Sequence, residues 1–168
     1  MGWFRSKPEK TEDAAADERL LEVVRGALPG GDADTVAIVA ACAGLLAGVA
    51  YADRDFSSAE KLVIERLLGS IEGLGAGGAQ PIVQALAAHR VELSSVHAMR
   101  FARTLKELGT PELRLHVLGM LVELAAADDS ISQSEVNNLR QVTRALGLEQ
   151  DDYNRLQAEH RAKLSALR

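Results

Sequence analysis

A short acidic pattern occurs twice in this chain, 75 residues apart. The first acidic segment, residues 52–60, reads Ala-Asp-Arg-Asp-Phe-Ser-Ser-Ala-Glu, and the second, residues 127–135, reads Ala-Asp-Asp-Ser-Ile-Ser-Gln-Ser-Glu. The apolar residues that lead into each segment repeat as well. Because an internal repeat implies paired structural units, the sequence predicts two pseudo-symmetric units, each built as helix, acidic loop and helix.

Composition favours an all-α fold. The 168 residues are 47% hydrophobic but only 4% aromatic, so the core must consist mainly of Leu, Val and Ala. No segment alternates polar and apolar residues with a period of two, which is the pattern of a half-buried strand. We expect an all-α, compact bundle of seven to eight helices. It forms a single domain, residues 17–168, after a flexible polar leader, residues 1–16.

Helix start and stop signals give the expected bounds. Asp32 and Thr110 are N-caps, and Gly147 is a C-terminal stop. A glycine-rich stretch, 75–78, is expected to separate two helices. The predicted helices are 17–28, 33–51, 58–74, 80–89, 95–108, 111–127, 133–146 and 151–167.

The uncharged stretch 35–52 is long enough to cross a membrane. It is rich in Ala and Gly, however, and these residues favour lipid less than Leu, Ile and Phe do. We therefore expect a buried core helix, with a membrane span as the alternative. Gly44 and Gly48 lie four residues apart and predict the close approach of a second helix to this one.

Charge and cysteine content exclude several classes of protein. The net charge of −5 and the pI of about 5.4 argue against nucleic acid as a partner, since phosphate binding requires a basic face. Cys42 is the only cysteine, which excludes an internal disulfide, and its apolar surroundings predict a buried hydrophobe. The sequence has no phosphate-binding glycine loop. We expect no enzymatic activity, with paired carboxylates acting as acid and base as the alternative.

The acidic segments carry the candidate functional residues. In each segment, carboxylates follow the end of one helix and enter the first turn of the next, where they can converge on a hard cation such as calcium or magnesium. Neither segment has the spacing or the central glycine of an EF-hand. The predicted metal ligands are Asp53, Asp55, Glu60, Asp128, Asp129 and Glu135.

Helix capping is the alternative explanation for part of this pattern. Ser57-x-x-Glu60 and Ser132-x-x-Glu135 both fit the capping box, in which Ser and Glu bind each other's backbone amides at a helix start. Capping accounts for the serines and glutamates but does not require the aspartates. Both interpretations stay open at this point.

The two acidic segments resemble those of the TerB family, the tellurite-resistance protein B-like helical domains. Family members carry Ala-x-Ala-Asp-Gly, a hydrophobe, Ser or Thr and then Glu in each half, and the matching stretches here are 50–60 and 125–135. The resemblance extends from about residue 35 to residue 157. It implies an all-helical bundle with pseudo-twofold halves and an acidic metal-binding patch. It also implies a non-enzymatic cytoplasmic protein, associated with tellurite resistance and stress response in bacteria.

Two positions depart from the family pattern. The glycine that should follow the aspartate is Arg54 in the first segment and Asp129 in the second. Glycine permits a positive φ, which Asp tolerates better than Arg does. Arg54 also places a positive charge between Asp53 and Asp55, where it would repel a cation. The second segment is therefore predicted to be the stronger cation site.

The expected function is that of a non-enzymatic TerB-like protein that binds a divalent cation and presents an acidic surface to a protein partner. The resemblance places that partner at the membrane, so the expected location is the cytoplasm at the inner face of the membrane. Trp3 and Phe4 beside Arg5 could touch a membrane surface, although a solvated leader is the simpler state. The alternative is a metal-free helical scaffold for a protein partner at the membrane.

Overall fold

A computed structural model of the protein describes residues 9–51, 57–88, 95–128 and 131–166. Within these ranges the chain forms eight α-helices and no strand, as predicted. A 3₁₀ turn, Ala126–Asp128, follows the sixth helix. The helices are α1 (Glu9–Ala27), α2 (Ala33–Ala50), α3 (Ser58–Gly69), α4 (Gly75–Ala88), α5 (Ser95–Leu108), α6 (Pro111–Ala125), α7 (Gln133–Ala145) and α8 (Gln150–Ala166).

Helix α2 lies at the centre of the bundle. It contacts α1, α3, α4, α5, α6 and α7, and it is buried on almost all sides between Val36 and Ala50. A helix that is apolar all round requires such burial. Among the described residues, α2 is the one helix long and apolar enough to cross a membrane, and 67% of its residues are buried inside the bundle. The predicted core helix is confirmed.

Helix α5 packs closely against α2 at a glycine. A Cβ atom on Gly44 would lie only 2.3 Å from Cε2 of the Phe101 ring, so a larger residue does not fit there. A Cβ atom on Gly48 would lie 3.8 Å from Cβ of Ala98, which is an ordinary contact. The predicted close approach of a second helix therefore depends on Gly44, where the Phe101 ring occupies the space of the missing side chain.

Local capping signals set several helix ends. Oδ1 of Asp32 accepts a hydrogen bond from the backbone amide of Thr35 at 2.7 Å and caps α2. This bond holds the pKa of the Asp32 carboxyl below its usual value. At the end of α7, Gly147 has a φ of +71°, and the amide of Leu148 donates to the carbonyl of Thr143 at 3.0 Å. That pattern is a glycine C-cap, as predicted.

Three predicted helix bounds were wrong. Helix α1 begins at Glu9 instead of residue 17, because the Glu, Lys and Ala of residues 9–16 are strong helix formers even without an apolar stripe. Residues 1–8 lie outside the described residues, so the predicted division between leader and domain stays a prediction. Helix α3 ends at Gly69 instead of residue 74, and α4 begins at Gly75 instead of residue 80.

The glycines around the start of α4 serve packing as well as a turn. Gly73 and Gly75 have positive φ values of +86° and +62°, which place the change of direction between α3 and α4 there. A Cβ atom on Gly78 would lie 2.9 Å from Cδ1 of Leu74 and 3.4 Å from the carbonyl oxygen of Ala27. Gly78 therefore lets the first turn of α4 pack closely against the end of α1, and the helix begins earlier than its sequence suggests.

One large apolar residue of α3 faces solvent. Ile64, Leu67 and Leu68 are buried, whereas Leu62 is 68% exposed. Leu62 lies two residues before Ile64, which places it on the opposite side of a helix with 3.6 residues per turn.

Cys42 is buried in α2, with 1% of its surface exposed. Burial raises the pKa of the Cys42 thiol to about 12, because the apolar surroundings disfavour the thiolate. The predicted role of Cys42 as a small buried hydrophobe is confirmed.

Tyr153 is a large side chain at the start of α8 that is only 1% exposed. Its hydroxyl has no hydrogen-bond partner among the described residues. Burial also raises the pKa of the Tyr153 phenol above its ordinary value. A buried hydroxyl without a partner costs free energy of folding, whereas the ring stabilises the core.

The first prediction concerns the glycines of α1 and α2. Gly44→Ala places a methyl group against the Phe101 ring and should lower the free energy of unfolding by about 1–3 kcal/mol through overpacking. Gly26→Ala is the matched control in α1, where a Cβ atom meets nothing within 4 Å. It should raise the free energy of unfolding by about 0.5–1 kcal/mol. Urea unfolding followed by circular dichroism measures both changes, and equal effects would contradict the close approach at Gly44.

The second prediction concerns the phenol of Tyr153. Tyr153→Phe removes a buried hydroxyl that lacks a partner and should raise the free energy of unfolding by about 1 kcal/mol. The raised pKa in the folded state means that stability is complete below pH ~10 and falls as the pH rises further. The parent protein should therefore lose stability above pH ~10 more steeply than the variant. A variant clearly less stable than the parent at pH 7 would show that the hydroxyl is bonded.

Candidate cation-binding loops

The first acidic segment ends in a capping box at the start of α3. Ser57 is the N-cap residue, and its Oγ accepts a hydrogen bond from the amide of Glu60 at 3.1 Å. In return, the amide of Ser57 donates to Oε2 of Glu60 at 2.7 Å. The predicted capping box is confirmed at this segment.

The second acidic segment ends in a capping box of the same geometry at the start of α7. Oγ of Ser132 accepts a hydrogen bond from the amide of Glu135 at 3.2 Å, and the amide of Ser132 donates to Oε2 of Glu135 at 2.6 Å. Each distance lies within about 0.1 Å of its counterpart in the first box. The two boxes therefore match, while the wider pseudo-symmetry of the two units stays a prediction.

Both glutamates are buried, with 8% of Glu60 and 9% of Glu135 exposed. Capping uses one carboxylate oxygen, Oε2, in each residue. It holds the carboxylate in one orientation beside the loop that precedes the helix. Calcium takes six to eight oxygen ligands, so each glutamate needs further ligands from its acidic segment to bind a cation.

The structure describes none of the side chains of the four aspartates in the predicted site. Asp53, Asp55 and Asp129 lie outside the described residues. Asp128 is the last residue of the 3₁₀ turn, and its side chain also lies outside the description. In the part of the chain that is described, no group of three or more His, Cys, Asp or Glu side chains could hold a metal ion. Convergence of the six carboxylates on a cation therefore stays a prediction.

The second acidic segment lies next to α3, the helix that begins at the end of the first acidic segment. Helix α3 contacts both α6 and the 3₁₀ turn Ala126–Asp128. Nη2 of Arg66 on α3 lies 2.5 Å from Oε1 of Glu123 on α6. The two side chains are 60% and 38% exposed, so this ion pair contributes little to stability. The ion pair does show which sides of α3 and α6 face each other.

A family model described as tellurite resistance protein TerB matches residues 39–158. This chain belongs to the TerB family. The match begins within α2 and ends within α8, so it includes both acidic segments and both capping boxes. No curated protein and no solved structure matches the chain with significance.

Family membership confirms the resemblance drawn from the repeated segments. It associates this TerB domain with the tellurite-resistance family, as its name states. It also agrees with the all-helical fold.

Two histidines line the same surface groove, which their spacing in the sequence did not indicate. His116 on α6 and His160 on α8 line one surface groove between α3, α6 and α8. His97 is buried in α5, and His89 lies outside the described residues. No short motif links residues 44 positions apart, so only the packing of α8 on α6 reveals that His116 and His160 share a groove.

The third prediction tests the capping box of the second segment. Glu135→Ala removes the acceptor for the Ser132 amide and should lower the free energy of unfolding by about 1 kcal/mol. Glu135→Gln keeps an oxygen that can accept this hydrogen bond, so its free energy of unfolding should fall by clearly less. The same pair of substitutions at Glu60 is the matched comparison for α3. Chemical denaturation measures all four variants, and equal losses for Ala and Gln would show that the hydrogen bond contributes nothing.

Proposed function

We propose that this TerB domain is a non-enzymatic protein that binds a divalent cation, calcium or magnesium, through its acidic segments. It acts as an interaction domain for a protein partner in tellurite resistance or a related stress response. The observation that carries the proposal is the pair of matching capping boxes, each with a buried glutamate at the end of an acidic segment.

The capping geometry supports cation binding in a specific way. A glutamate on the first turn of a helix keeps its place whether or not a cation is bound, because a backbone amide fixes one of its oxygens. A preorganised ligand costs less entropy on binding. In the second segment, Asp128 and Asp129 come shortly before Glu135 and supply the further oxygens that a hard cation requires. The second segment is favoured because it has no counterpart of Arg54.

The lack of catalytic activity is part of the same proposal. Cys42 is the single thiol of the chain, and its burial and its pKa of about 12 prevent it from acting as a nucleophile near neutral pH. The two buried glutamates each accept a backbone hydrogen bond, which commits one oxygen of each to structure. Paired carboxylates acting as acid and base would need both groups to face a common substrate.

A metal-free scaffold is the second candidate function. The observation that favours it is that each capping box is complete without a cation. In that case, the acidic segments only begin α3 and α7, and the domain serves a protein partner at the inner face of the membrane in the cytoplasm. The two candidates differ in whether a cation stabilises the fold.

The fourth prediction separates these functions by thermal unfolding. Calcium or magnesium at about 100 times its dissociation constant should stabilise the parent protein by about 2.7 kcal/mol. For a domain of this size, that energy corresponds to a rise in Tm of roughly 5–10 °C. The chelator EDTA should reverse the rise. If neither metal changes the Tm of the parent protein and isothermal titration calorimetry shows no heat of binding, cation binding is excluded. The metal-free scaffold is then the remaining function.

Two variants test whether the rise in Tm results from cation binding at the acidic segments. Glu135→Gln keeps the acceptor of the capping box but removes the charge, so it should reduce the rise in Tm while leaving the metal-free Tm close to that of the parent. Asp32→Asn is the matched control, because Asp32 is also a helix-capping acid and Asn caps equally well. It should keep the full response to the cation. A response that survives Glu135→Gln would contradict the assignment of the site.

A further inference from the structure

A groove separate from the acidic segments lies between α3, α6 and α8. Its volume is about 510 Å³, and its floor includes the buried residues Leu67, Met120 and Val122. Charged side chains of both signs surround this apolar floor. The cation proposal does not use this surface.

Exposed leucines extend the groove on two of its walls. Leu62 and Leu164 are 68% and 45% exposed, and the described residues contain only one other large hydrophobic residue that is exposed, Leu108. Leu62 lies one helical turn before Arg66, and Leu164 lies one turn after His160, both of which line the groove. Exposed apolar side chains therefore continue beyond the groove along both helices, which favours a protein partner.

The last turns of α8 are exposed to solvent. All six residues 161–166 are exposed. Leu156, His160 and Leu164 follow one another at intervals of four residues and so lie on one side of α8. Leu156 and His160 are half-buried beside the groove, and Leu164 continues the same side into solvent.

The last two turns of α8 carry a net charge opposite to that of the groove lining on α3 and α6. On α3 and α6, the groove is lined by Glu112, Glu123 and Arg66, which carry a net charge of −1. Residues 159–166 of α8 contain Glu159, Arg161 and Lys163, which carry a net charge of +1. A second copy of α8 would therefore bring a positive segment to a negative surface.

The charges on α8 are also complementary to those of a second, antiparallel α8. Glu159 and Lys163 are four residues apart. Two antiparallel copies centred near residue 160 place Glu159 of each opposite Lys163 of the other, and Leu156 of each opposite Leu164 of the other. A contact that matches itself in this way is what a two-fold dimer requires.

We propose that the groove between α3, α6 and α8 binds α8 of a second copy of this chain, in a two-fold antiparallel dimer. The two α8 helices lie side by side, with Leu156, His160 and Leu164 at their contact. The inference goes beyond the proposed cation binding and does not depend on it.

The fifth prediction concerns the mass of the full chain in solution. Sedimentation equilibrium should show a concentration-dependent dimer of the 18.0 kDa chain. Leu164→Glu places a charge in the contact and should weaken dimerisation at least tenfold, while the circular dichroism spectrum stays unchanged. Leu108→Glu is the matched control, because Leu108 is an exposed leucine on α5 that does not line the groove. A parent chain that stays monomeric up to the highest soluble concentration overturns the proposal, whatever else binds in the groove.

Charge reversal distinguishes pairing between copies from pairing within one helix. Glu159→Lys alone and Lys163→Glu alone should each weaken the dimer at least tenfold, because each variant places like charges opposite one another across the two-fold contact. Mixing the two single variants should restore dimers, as each then supplies the charge that the other lacks. The double variant should also dimerise. Failure of the mixture to form heterodimers, or equal dimerisation of Leu164→Glu and the parent, overturns the antiparallel pairing.

Discussion

The burial of α2 on nearly every side is the constraint on which the rest of this bundle depends. The helix carries no charge between Thr35 and Ala50 and consists largely of small residues, so its neighbours can approach it closely. The Phe101 ring lies against Gly44, and α5 is thereby held against α2. Removing α2 from the bundle would expose the apolar sides of the helices packed around it. Its length and apolar character suit this position in the core.

The capping boxes connect this fold to the proposed site. Ser57 and Ser132 begin α3 and α7, and their partner glutamates are buried at the ends of the acidic segments. Because capping uses one oxygen of each glutamate, helix capping and cation binding do not exclude each other. The same side chain can begin a helix and hold a ligand in a fixed orientation. This explains how a structural motif and a candidate binding motif can occupy the same residues.

Two surfaces of the domain share the same helices. Helix α3 begins at the first acidic segment and also forms one wall of the groove, and α6 lines the groove before it leads into the second acidic segment. The ion pair between Arg66 and Glu123 spans these two helices. A partner in the groove and a cation at the acidic segments would therefore contact different parts of the same helix pair.

Local signals in the sequence predicted much of the fold. Asp32, Thr110 and Gly147 marked helix ends correctly, and the spacing of Ser and Glu predicted both capping boxes. One of the wrong bounds, the start of α4, lies where packing overrode local preference. The glycines before α4 indicated a break in the chain, but Gly78 packs against Leu74, and the helix begins at Gly75. The convergence of the candidate aspartates on a cation stays a prediction, because the structure does not describe their side chains.

The sequence by itself determined the helical class, the TerB membership, the buried core helix and the two helix starts at the acidic segments. These features depend on residues within about one helical turn of each other or on a repeated pattern, and both can be read along the chain. Only the tertiary structure decided which helix sides face each other. The pairing of Arg66 with Glu123 and the shared groove of His116 and His160 join residues far apart in sequence. Such contacts depend on how whole helices pack around α2, and no local signal encodes that arrangement.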